Sequence, residues 1–377
     1  MVLKKLVRGA LVAALLVPAA CASSATTTDS GGGAVVDAAQ VSAAKDVVAK
    51  ASTFPTSIPV TEPLPSRPPA GKTLVFLQCE QQECHHEGEG MRAATQAIGW
   101  DLKTLNFKAS DPATLVAALR TALQYKPVGV YFSGVPQAVW SSVQAEYAAA
   151  GSYITDSYVI PAPSGAGIEA GHGYDDHAQE VGRVAANAQL ADSGGQAANS
   201  LLVSVPDYPV FNPTAQAYHD VIAKSCPSCK VTDVNVTLPQ LLGGQLVPAV
   251  VSAAKRTPGV KYIVAVNGSF TAQLPQALKG AGLDGKFKLI SGTGISRDQQ
   301  NVLAGTQLAT MNSQLEMGGW QDVDIAVRKV MGLPVPAGDH AAPVTLLTKD
   351  NIGTPRDSYD LPADFAGQFK KLWKVAG

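Results

Sequence analysis

Two cysteines and two histidines fall close together in one short stretch of the chain, at Cys79, Cys84, His85 and His86. Thiolates and imidazoles are the side chains that Zn²⁺ prefers in proteins, so a metal site is one interpretation of this cluster. Two adjacent histidines cannot easily share one ion, however, and a pair of thiols outside the cytoplasm usually oxidises. We therefore predict a loop disulfide and no metal ion, and the metal site stays open as the alternative.

A second close pair, Cys226 and Cys229, has the C-x-x-C spacing of thiol redox enzymes. In those enzymes the motif stands at a helix N-terminus, which lowers the thiol pKa, whereas this pair follows a predicted helix and precedes a predicted strand. A structural disulfide in a turn is the better interpretation. Four cysteines allow three pairings, and we predict the local one, which joins Cys79 to Cys84 and Cys226 to Cys229.

The remaining reactive side chains form no recognisable catalytic pattern. His172, Asp175, Asp176 and His177 could bind a metal, but an aspartate at the start of a predicted helix more often caps the free N–H groups there. The sequence contains neither a G-x-S-x-G nucleophile elbow nor a complete G-x-x-x-x-G-K-S/T phosphate-binding loop. We therefore predict that the protein is not an enzyme and carries no cofactor.

The overall charge argues against one large class of partners. Lys and Arg total 29 and Asp and Glu total 30, which gives a formal net charge of −1. Binding to nucleic acid needs a basic surface, so we predict no nucleic-acid partner. Hydrophobic residues make up 46% of the chain, which is enough for a sizeable folded core.

The N-terminus has the order of a secretory signal. Basic residues come first, an apolar stretch too short to span a bilayer follows, and two alanines precede Cys21. A cysteine at this place resembles the lipidated residue of a bacterial lipobox, although Pro18 stands where the usual pattern has Leu. We predict a signal peptide over residues 1–21 and export, with Cys21 anchored by lipid to the outer face of the cytoplasmic membrane. A periplasmic protein with an ordinary signal peptide is the alternative, and residues 22–70 are expected to form a flexible Ala- and Pro-rich tether.

From residue 72 onward, short apolar runs alternate with stretches of helical periodicity. The first pair consists of a strand at 73–77 and a helix at 87–98, and the pattern repeats along the chain. Such alternation predicts βαβ units, and therefore parallel sheets with helices on both faces. Because the irregular stretch 158–173 divides the strands into two groups, we predict an α/β fold with two parallel sheets.

Several segments taken together resemble the type I periplasmic binding protein family, in its sugar-receptor branch. They are V-G-V-Y-F-S-G at 128–134, A-A-G-S-Y-I-T-D at 149–156, Y-I-V-A-V-N-G at 262–268 and A-L-K-G-A-G-L at 277–283. The resemblance implies an α/β fold with two similar Rossmann-like lobes, which are linked by a hinge and joined by three crossovers. It assigns residues 72–160 and 315–335 to lobe one, and residues 161–314 and 336–377 to lobe two.

The resemblance also implies a function. A monomeric solute-binding protein of this family captures a small molecule between its lobes and delivers it to the permease and ATPase of an ABC importer. A receptor lipoprotein that presents its ligand to a membrane signalling partner would have the same fold and anchor, and it stays open as the alternative. A metal-binding lipoprotein is a third hypothesis, which rests on residues 79–86 alone.

The candidate ligand-binding residues follow from the topology, because open α/β sheets bind ligands beyond the carboxyl ends of their strands. They are Gln78, Gln81, Ser133 and Asp156 in lobe one, and Tyr208, Phe211, Asn267, Thr293 and Gln314 in lobe two. Asp156, Asn267 and Gln314 match positions of the family pattern.

Three charged groups of the sugar-receptor pattern are missing. Gly268 and the Gly292–Gly294 stretch stand where that pattern has aspartates, and no arginine lies between Arg183 and Arg256. A buried polar group of a ligand left without a partner costs about 1–3 kcal/mol. We therefore expect a ligand that is less hydroxylated than a pyranose, or partly aromatic, beside Phe132, Tyr208 and Phe211.

Overall fold

Two β-sheets form the framework of the protein in a computed structural model that describes residues 35–335, 341 and 343–375. The first sheet has the strand order β2-β1-β3-β4, and all its strands are parallel. Its strands are β1 (Thr73–Gln78), β2 (Asp101–Asn106), β3 (Gly129–Ser133) and β4 (Tyr153–Ser157). The runs L-V-F-L in β1 and V-Y-F in β3 are buried completely, as expected for strands covered on both faces.

The second sheet has the order β10-β9-β8-β7-β5-β6 and is parallel except for β10, which runs antiparallel to β9. Its strands are β5 (Asn199–Ser204), β6 (Val231–Asn235), β7 (Val260–Asn267), β8 (Lys288–Thr293), β9 (Ala309–Met311) and β10 (Leu346–Leu347). Separate hydrophobic clusters cover the two faces of this sheet, as they do in the first sheet. The two sheets predicted from the strand–helix alternation, and the two-lobed α/β fold implied by the family resemblance, are therefore confirmed.

Helices connect the strands and cover the sheets. They are α1 (Ala38–Ala51), α2 (Gln82–Ile98), α3 (Pro112–Leu123), α4 (Gln137–Trp140), α5 (Gln144–Ala150), α6 (Asp175–Asp192), α7 (Asn212–Ser225), α8 (Leu238–Leu242), α9 (Leu246–Arg256), α10 (Leu274–Gly280), α11 (Ser296–Leu303), α12 (Leu315–Val330) and α13 (Phe365–Leu372). Two short 3-10 helices occupy Ser141–Val143 and Pro209–Phe211. None of the helices in the described part of the chain is long and apolar enough to cross a membrane.

Helix α2 begins earlier than the sequence predicts, and its position depends on glycine. It starts at Gln82 rather than at residue 87, because its first turn is polar and shows no apolar period. The helix packs closely on α12. A Cβ atom at Gly90 would lie 2.0 Å from the backbone oxygen of Glu316, and one at Gly319 would lie 2.4 Å from that of Glu87. Only glycines allow the two backbones to approach so closely.

Both disulfides have the local pairing predicted for them. Cys79 is joined to Cys84 and Cys226 to Cys229. The second bridge closes the turn between α7 and β6, as expected. The first is not confined to a loop, because Cys84 lies in the first turn of α2. It therefore fixes the start of α2 to the end of β1.

The region predicted to be a flexible tether is largely folded onto the two lobes. Val41 and Ala44 of α1 are buried in the hydrophobic cluster of α6 and the second sheet. Ile58, Val60 and Leu64 are buried in the cluster of α12 and the first sheet. The prediction of a tether over this part is wrong, because its apolar side chains are spaced to cover both lobes. The signal peptide, Cys21 and the rest of the tether up to residue 34 lie outside the described residues.

The segment beyond residue 336, which the sequence assigns to lobe two, is divided between the lobes. Strand β10 extends the second sheet, whereas α13 packs on α12 in lobe one. The rings of Trp320 and Trp373 are stacked with their centroids 5.2 Å apart, and Trp373 Nε1 donates a hydrogen bond of 2.7 Å to Asp324 Oδ1. Trp140, Trp320 and Trp373 are all buried packing residues.

Candidate functional site

A cavity of about 520 Å³ lies between the two lobes. Its wall includes residues at or just after the carboxyl ends of β3, β7 and β8, together with the start of α2. This is the place where open α/β sheets bind ligands, because the strand ends and helix N-termini meet there. We call this cavity the cleft.

Seven of the predicted ligand-binding residues line the cleft, whereas two do not. Those on the wall are Gln81, Ser133, Tyr208, Phe211, Asn267, Thr293 and Gln314. Gln78 lies over α2, where its Nε2 is 3.4 Å from His85 Nδ1. Phe132, which was expected beside a ligand, is buried in the core of lobe one in edge-to-face contact with Trp140.

Asp156 is the second predicted residue that does not line the cleft. Its side chain is fully buried and accepts hydrogen bonds from the backbone N–H of Val135 at 3.4 Å and from Trp140 Nε1 at 3.3 Å. Burial raises the pKa of this carboxyl well above its ordinary value, and those hydrogen bonds only partly oppose the effect. Asp156 therefore positions the loop after β3 from behind the cleft.

Lobe two contributes an aromatic cluster to the wall, formed by Tyr208, Phe211 and Phe270. The rings of Tyr208 and Phe270 are nearly parallel with centroids 6.5 Å apart, and the Phe211 ring meets that of Phe270 edge-to-face at 5.4 Å. All three side chains are half-buried. The sequence analysis missed Phe270, although its place in the loop after β7 was a signal that could have found it.

Asn267 organises the loop after β7. Its Oδ1 accepts hydrogen bonds from the backbone N–H of Ser269 at 2.9 Å and from the Ser269 hydroxyl at 2.7 Å, and its Nδ2 donates to Thr293 Oγ1 at 3.3 Å. The neighbouring Gly268 has no room for a side chain, since a Cβ atom there would lie 2.8 Å from both the Asp298 carboxylate and Gly294 Cα. The packing of this loop thus requires a glycine at position 268.

Lobe one contributes a buried carboxyl group that the sequence analysis also missed. Glu87 lies in the second turn of α2, lines the cleft and is only 2% exposed. Ser133 Oγ donates a hydrogen bond of 2.8 Å to its Oε2. Burial, and next the negative charge of Asp322, raise the pKa of Glu87 to about 8. The sequence pattern placed Glu87 at the start of a helix, because the polar turn before it shows no apolar period.

Behind Glu87, the crossover after β4 and helix α12 supply His172 and Asp322. His172 Nε2 is 3.2 Å from the carbonyl oxygen of Gly318 and 3.3 Å from Asp322 Oδ1. Ser157 Oγ donates to the same Asp322 oxygen at 3.2 Å. A nitrogen that donates to a carbonyl has no lone pair for a metal, so these contacts describe a hydrogen-bonded cluster.

The histidines and aspartates grouped in the sequence analysis are separated in the structure. His172 is fully buried, whereas Asp175 and Asp176 are exposed in the first turn of α6. The expected aspartate cap is also wrong, because Tyr174 is the N-cap residue and no side chain caps this helix. On the surface, His86 Nδ1 contacts Glu89 at 3.1 Å and Glu316 at 3.9 Å.

The electrostatic character of the cleft follows from its wall. Of the described residues that line it, two are carboxylic acids, Glu83 and Glu87, and none is Lys or Arg. Apolar and aromatic side chains form much of the remaining surface, and Gln81 Nε2 lies 3.5 Å from the Tyr208 hydroxyl across the two lobes. Such a site is suited to enclosing a small molecule rather than to a reaction with a charged nucleophile or phosphate.

Comparison with solved structures identifies similar two-lobed proteins. An ABC sugar transporter subunit from Rhodobacter sphaeroides is 18% identical with a TM-score of 0.62, and the match covers 74% of this chain and 99% of that one. GanP, a glucose-galactose binding protein from Geobacillus stearothermophilus, is 15% identical with a TM-score of 0.64, over 76% and 100% of the two chains.

A third similar structure is the 5-methylthioribose transporter solute binding protein from Thermotoga lettingae, in complex with 5-methylthioribose. It is 16% identical with a TM-score of 0.65, and the match covers 84% of this chain and 100% of that one. At these identities the similarity establishes the fold alone. No curated protein sequence is significantly similar to this chain.

A family model provides the evidence for membership. The model described as "Periplasmic binding protein domain" matches residues 84–334, which is more than half of the chain. The match extends from the first turn of α2 to just beyond the end of α12, so it includes the strands of both sheets that border the cleft. The chain therefore belongs to the periplasmic binding protein family.

Proposed function

We propose that this chain is an extracytoplasmic solute-binding protein that captures a small organic ligand between its lobes and delivers it to an ABC importer. The observation that carries the proposal is the cleft itself, a cavity of about 520 Å³ between two lobes with polar side chains at the strand ends. Hinge closure around a ligand converts capture into a shape that a partner recognises.

The ligand is a sugar-like compound or a less hydroxylated, partly aromatic one. Similar structures include a sugar transporter subunit and a protein holding 5-methylthioribose, which carries an apolar thioether on a sugar. In this chain the packing around Gly268 leaves no room for an aspartate side chain that could bind hydroxyl groups of a ligand. The aromatic cluster of lobe two supplies an apolar surface instead.

Export and membrane anchoring complete the proposal. A lipid on Cys21 would hold the folded part outside the cytoplasmic membrane, where the protein meets its ligand and its permease. Mass spectrometry of the N-terminal peptide of the mature protein tests this directly. A peptide that begins at a lipidated Cys21 supports the anchor, and cleavage elsewhere without lipid contradicts it.

A thermal-shift screen of residues 34–377 tests ligand capture, because these residues form a compact unit of their own. The panel contains sugars, deoxy- and thio-sugars, polyols, nucleosides, amines, aromatic acids and amino acids. A ligand at 100 times its Kd that binds only the folded state adds about 2.7 kcal/mol, which raises the melting temperature by about 4 °C for a protein of this size. Melting curves that do not move for any compound would contradict the proposal.

A further inference from the structure

Glu87 lines the cleft and has one buried carboxyl oxygen without a hydrogen-bond partner among the described residues. One oxygen, Oε2, accepts the hydrogen bond from Ser133, whereas Oε1 is buried and has no hydrogen-bond partner among the described residues. A buried polar atom without a partner costs free energy, and such atoms in native proteins usually have a function. Because Glu87 lines the cleft, a bound ligand is the partner that its position allows.

The titratable groups around Glu87 are mostly carboxyl groups. Helix α12 places Asp322 beside it, and β4 places Asp156 close enough to sense its charge. His172 of the crossover is a basic side chain near it whose ring is already in contact with Asp322, and His177 of α6 also lines the cleft. On its own helix, Glu83 adds a second carboxyl to the wall one turn earlier.

A ligand that carries a carboxylate or phosphate finds no cationic Arg or Lys partner among the described residues of this wall. The first two turns of α2, which also lie there, carry the acidic side chains of Glu83 and Glu87 instead. A positively charged ligand group would instead gain an ion pair with Glu87 in a water-poor site, where charge interactions are stronger than in water.

We propose that the ligand is a cation, with a protonated amine against Glu87 Oε1 and an apolar body against Tyr208, Phe211 and Phe270. This inference rests on the proposed function, because it assigns a chemical class to the ligand of the same cleft. The aromatic rings provide the flat apolar surface for the body of the ligand, and their electron-rich faces also favour a nearby positive charge.

Proton release is the signature that distinguishes this ligand from a neutral one. Because the pKa of Glu87 is raised to about 8 in the unliganded protein, the carboxyl is mostly protonated at neutral pH. An ammonium group binds the carboxylate, so the carboxyl proton passes to solvent when the ion pair forms. The affinity for an amine therefore rises by up to about tenfold per pH unit between pH 6 and 8, and it levels off above the pKa.

The experiment uses three probes that share one aromatic body and differ in the charge of the head group. These are 2-phenylethylamine, 2-phenylethanol and phenylacetate, each titrated calorimetrically into residues 34–377 at pH 7 in two buffers of different ionisation enthalpy. We expect the amine to bind at least about tenfold more tightly than the alcohol, and phenylacetate to bind most weakly. The difference between the buffers should report the release of close to one proton with the amine and none with the alcohol.

Two variants separate Glu87 from the general charge of helix α2. Glu87→Gln keeps the shape of the side chain and should weaken amine binding by about 10- to 100-fold while abolishing proton release. The matched control, Glu89→Gln, removes an exposed carboxyl from the same helix outside the cleft and should change the affinity by less than about threefold.

The inference is overturned if the amine binds no more tightly than the alcohol, if no proton is released, or if both variants behave alike. An alcohol that binds as well as the amine, with an affinity that falls above pH 8, would show that protonated Glu87 donates a hydrogen bond to a neutral ligand. A sugar that stabilises the protein when the amine does not bind would leave the proposed function standing and this inference refuted. If neither binds, both fail.

Discussion

Glu87 is the residue whose ionisation most directly links stability to the proposed function. Its pKa is about 8 in the folded protein against 4.5 in an ordinary environment, so the folded state holds a proton that the unfolded chain has already lost. The stabilisation that the folded state gains from this bound proton is therefore fully present below about pH 4.5. It is lost as the pH rises to about 8.

Glu87→Gln should remove this pH dependence, because the amide stays neutral. We expect the variant to have nearly wild-type stability at about pH 5 and to become more stable than the wild type by about 1–3 kcal/mol near pH 8.5. Urea unfolding of both proteins across this range measures the difference. If the difference in free energy of unfolding between the two proteins is the same at every pH, Glu87 ionises with an ordinary pKa and the interpretation is wrong.

Gly268 should be a position where the loop after β7 accepts no side chain. Gly268→Ala should destabilise the protein by about 1–3 kcal/mol, because the added methyl group overlaps the Asp298 carboxylate and the Gly294 backbone. The matched control is Gly280→Ala at the end of α10, where a Cβ atom meets nothing within 4 Å. Denaturant midpoints that shift equally for the two variants would contradict this interpretation.

The sequence was sufficient to predict cleft residues that lie at the carboxyl end of a strand. Asn267 and Thr293 follow apolar strands and lie on the wall for that reason. Asp156 also lies near the end of a strand, but its side chain does not line the cleft. It accepts a hydrogen bond from the backbone N–H of Val135 in the loop after β3. Glu87 was not predicted as a cleft residue, because its burial depends on how closely α2 approaches α12. The periodicity of a single helix does not predict its distance from another helix.

At the scale of elements, the alternation of strands and helices was sufficient to predict both sheets and the local disulfides. Element starts were less predictable where polar residues begin a helix, as in the first turn of α2. The proline-rich stretch 54–71 has the composition of a linker, and composition alone cannot show that Ile58, Val60 and Leu64 reach a core built by distant residues.

The N-terminal segment should therefore contribute to stability. Leu64→Ala removes a side chain that is 1% exposed in the core of lobe one, and we expect a loss of about 2–5 kcal/mol. Val35→Ala is the control from the same segment, because Val35 is 80% exposed and should change stability little. If Leu64→Ala and the wild type have the same denaturant midpoint of unfolding, the segment does not stabilise the fold and behaves as a tether.

At the scale of the whole molecule, two segments outside the crossovers pack on both lobes. The segment 35–71 passes from α1 on lobe two to Leu64 in lobe one. The segment 343–375 passes from β10 in the second sheet to α13 on α12. These connections between the lobes were not implied by the family resemblance.

The central claim is that one ligand binds between the lobes and contacts both of them. Calorimetric titration of the strongest ligand from the thermal-shift panel tests it, with one variant on each lobe. Gln81→Ala alters the wall of lobe one and Phe270→Ala that of lobe two, while Gln96→Ala changes an exposed glutamine on α2 outside the cleft.

We expect one ligand per chain, an affinity weakened at least about fivefold by each of the two cleft variants, and no change with Gln96→Ala. The thermal unfolding of each variant confirms that it is folded before it is titrated. A ligand whose affinity depends on only one lobe, or on neither, would contradict capture between the lobes.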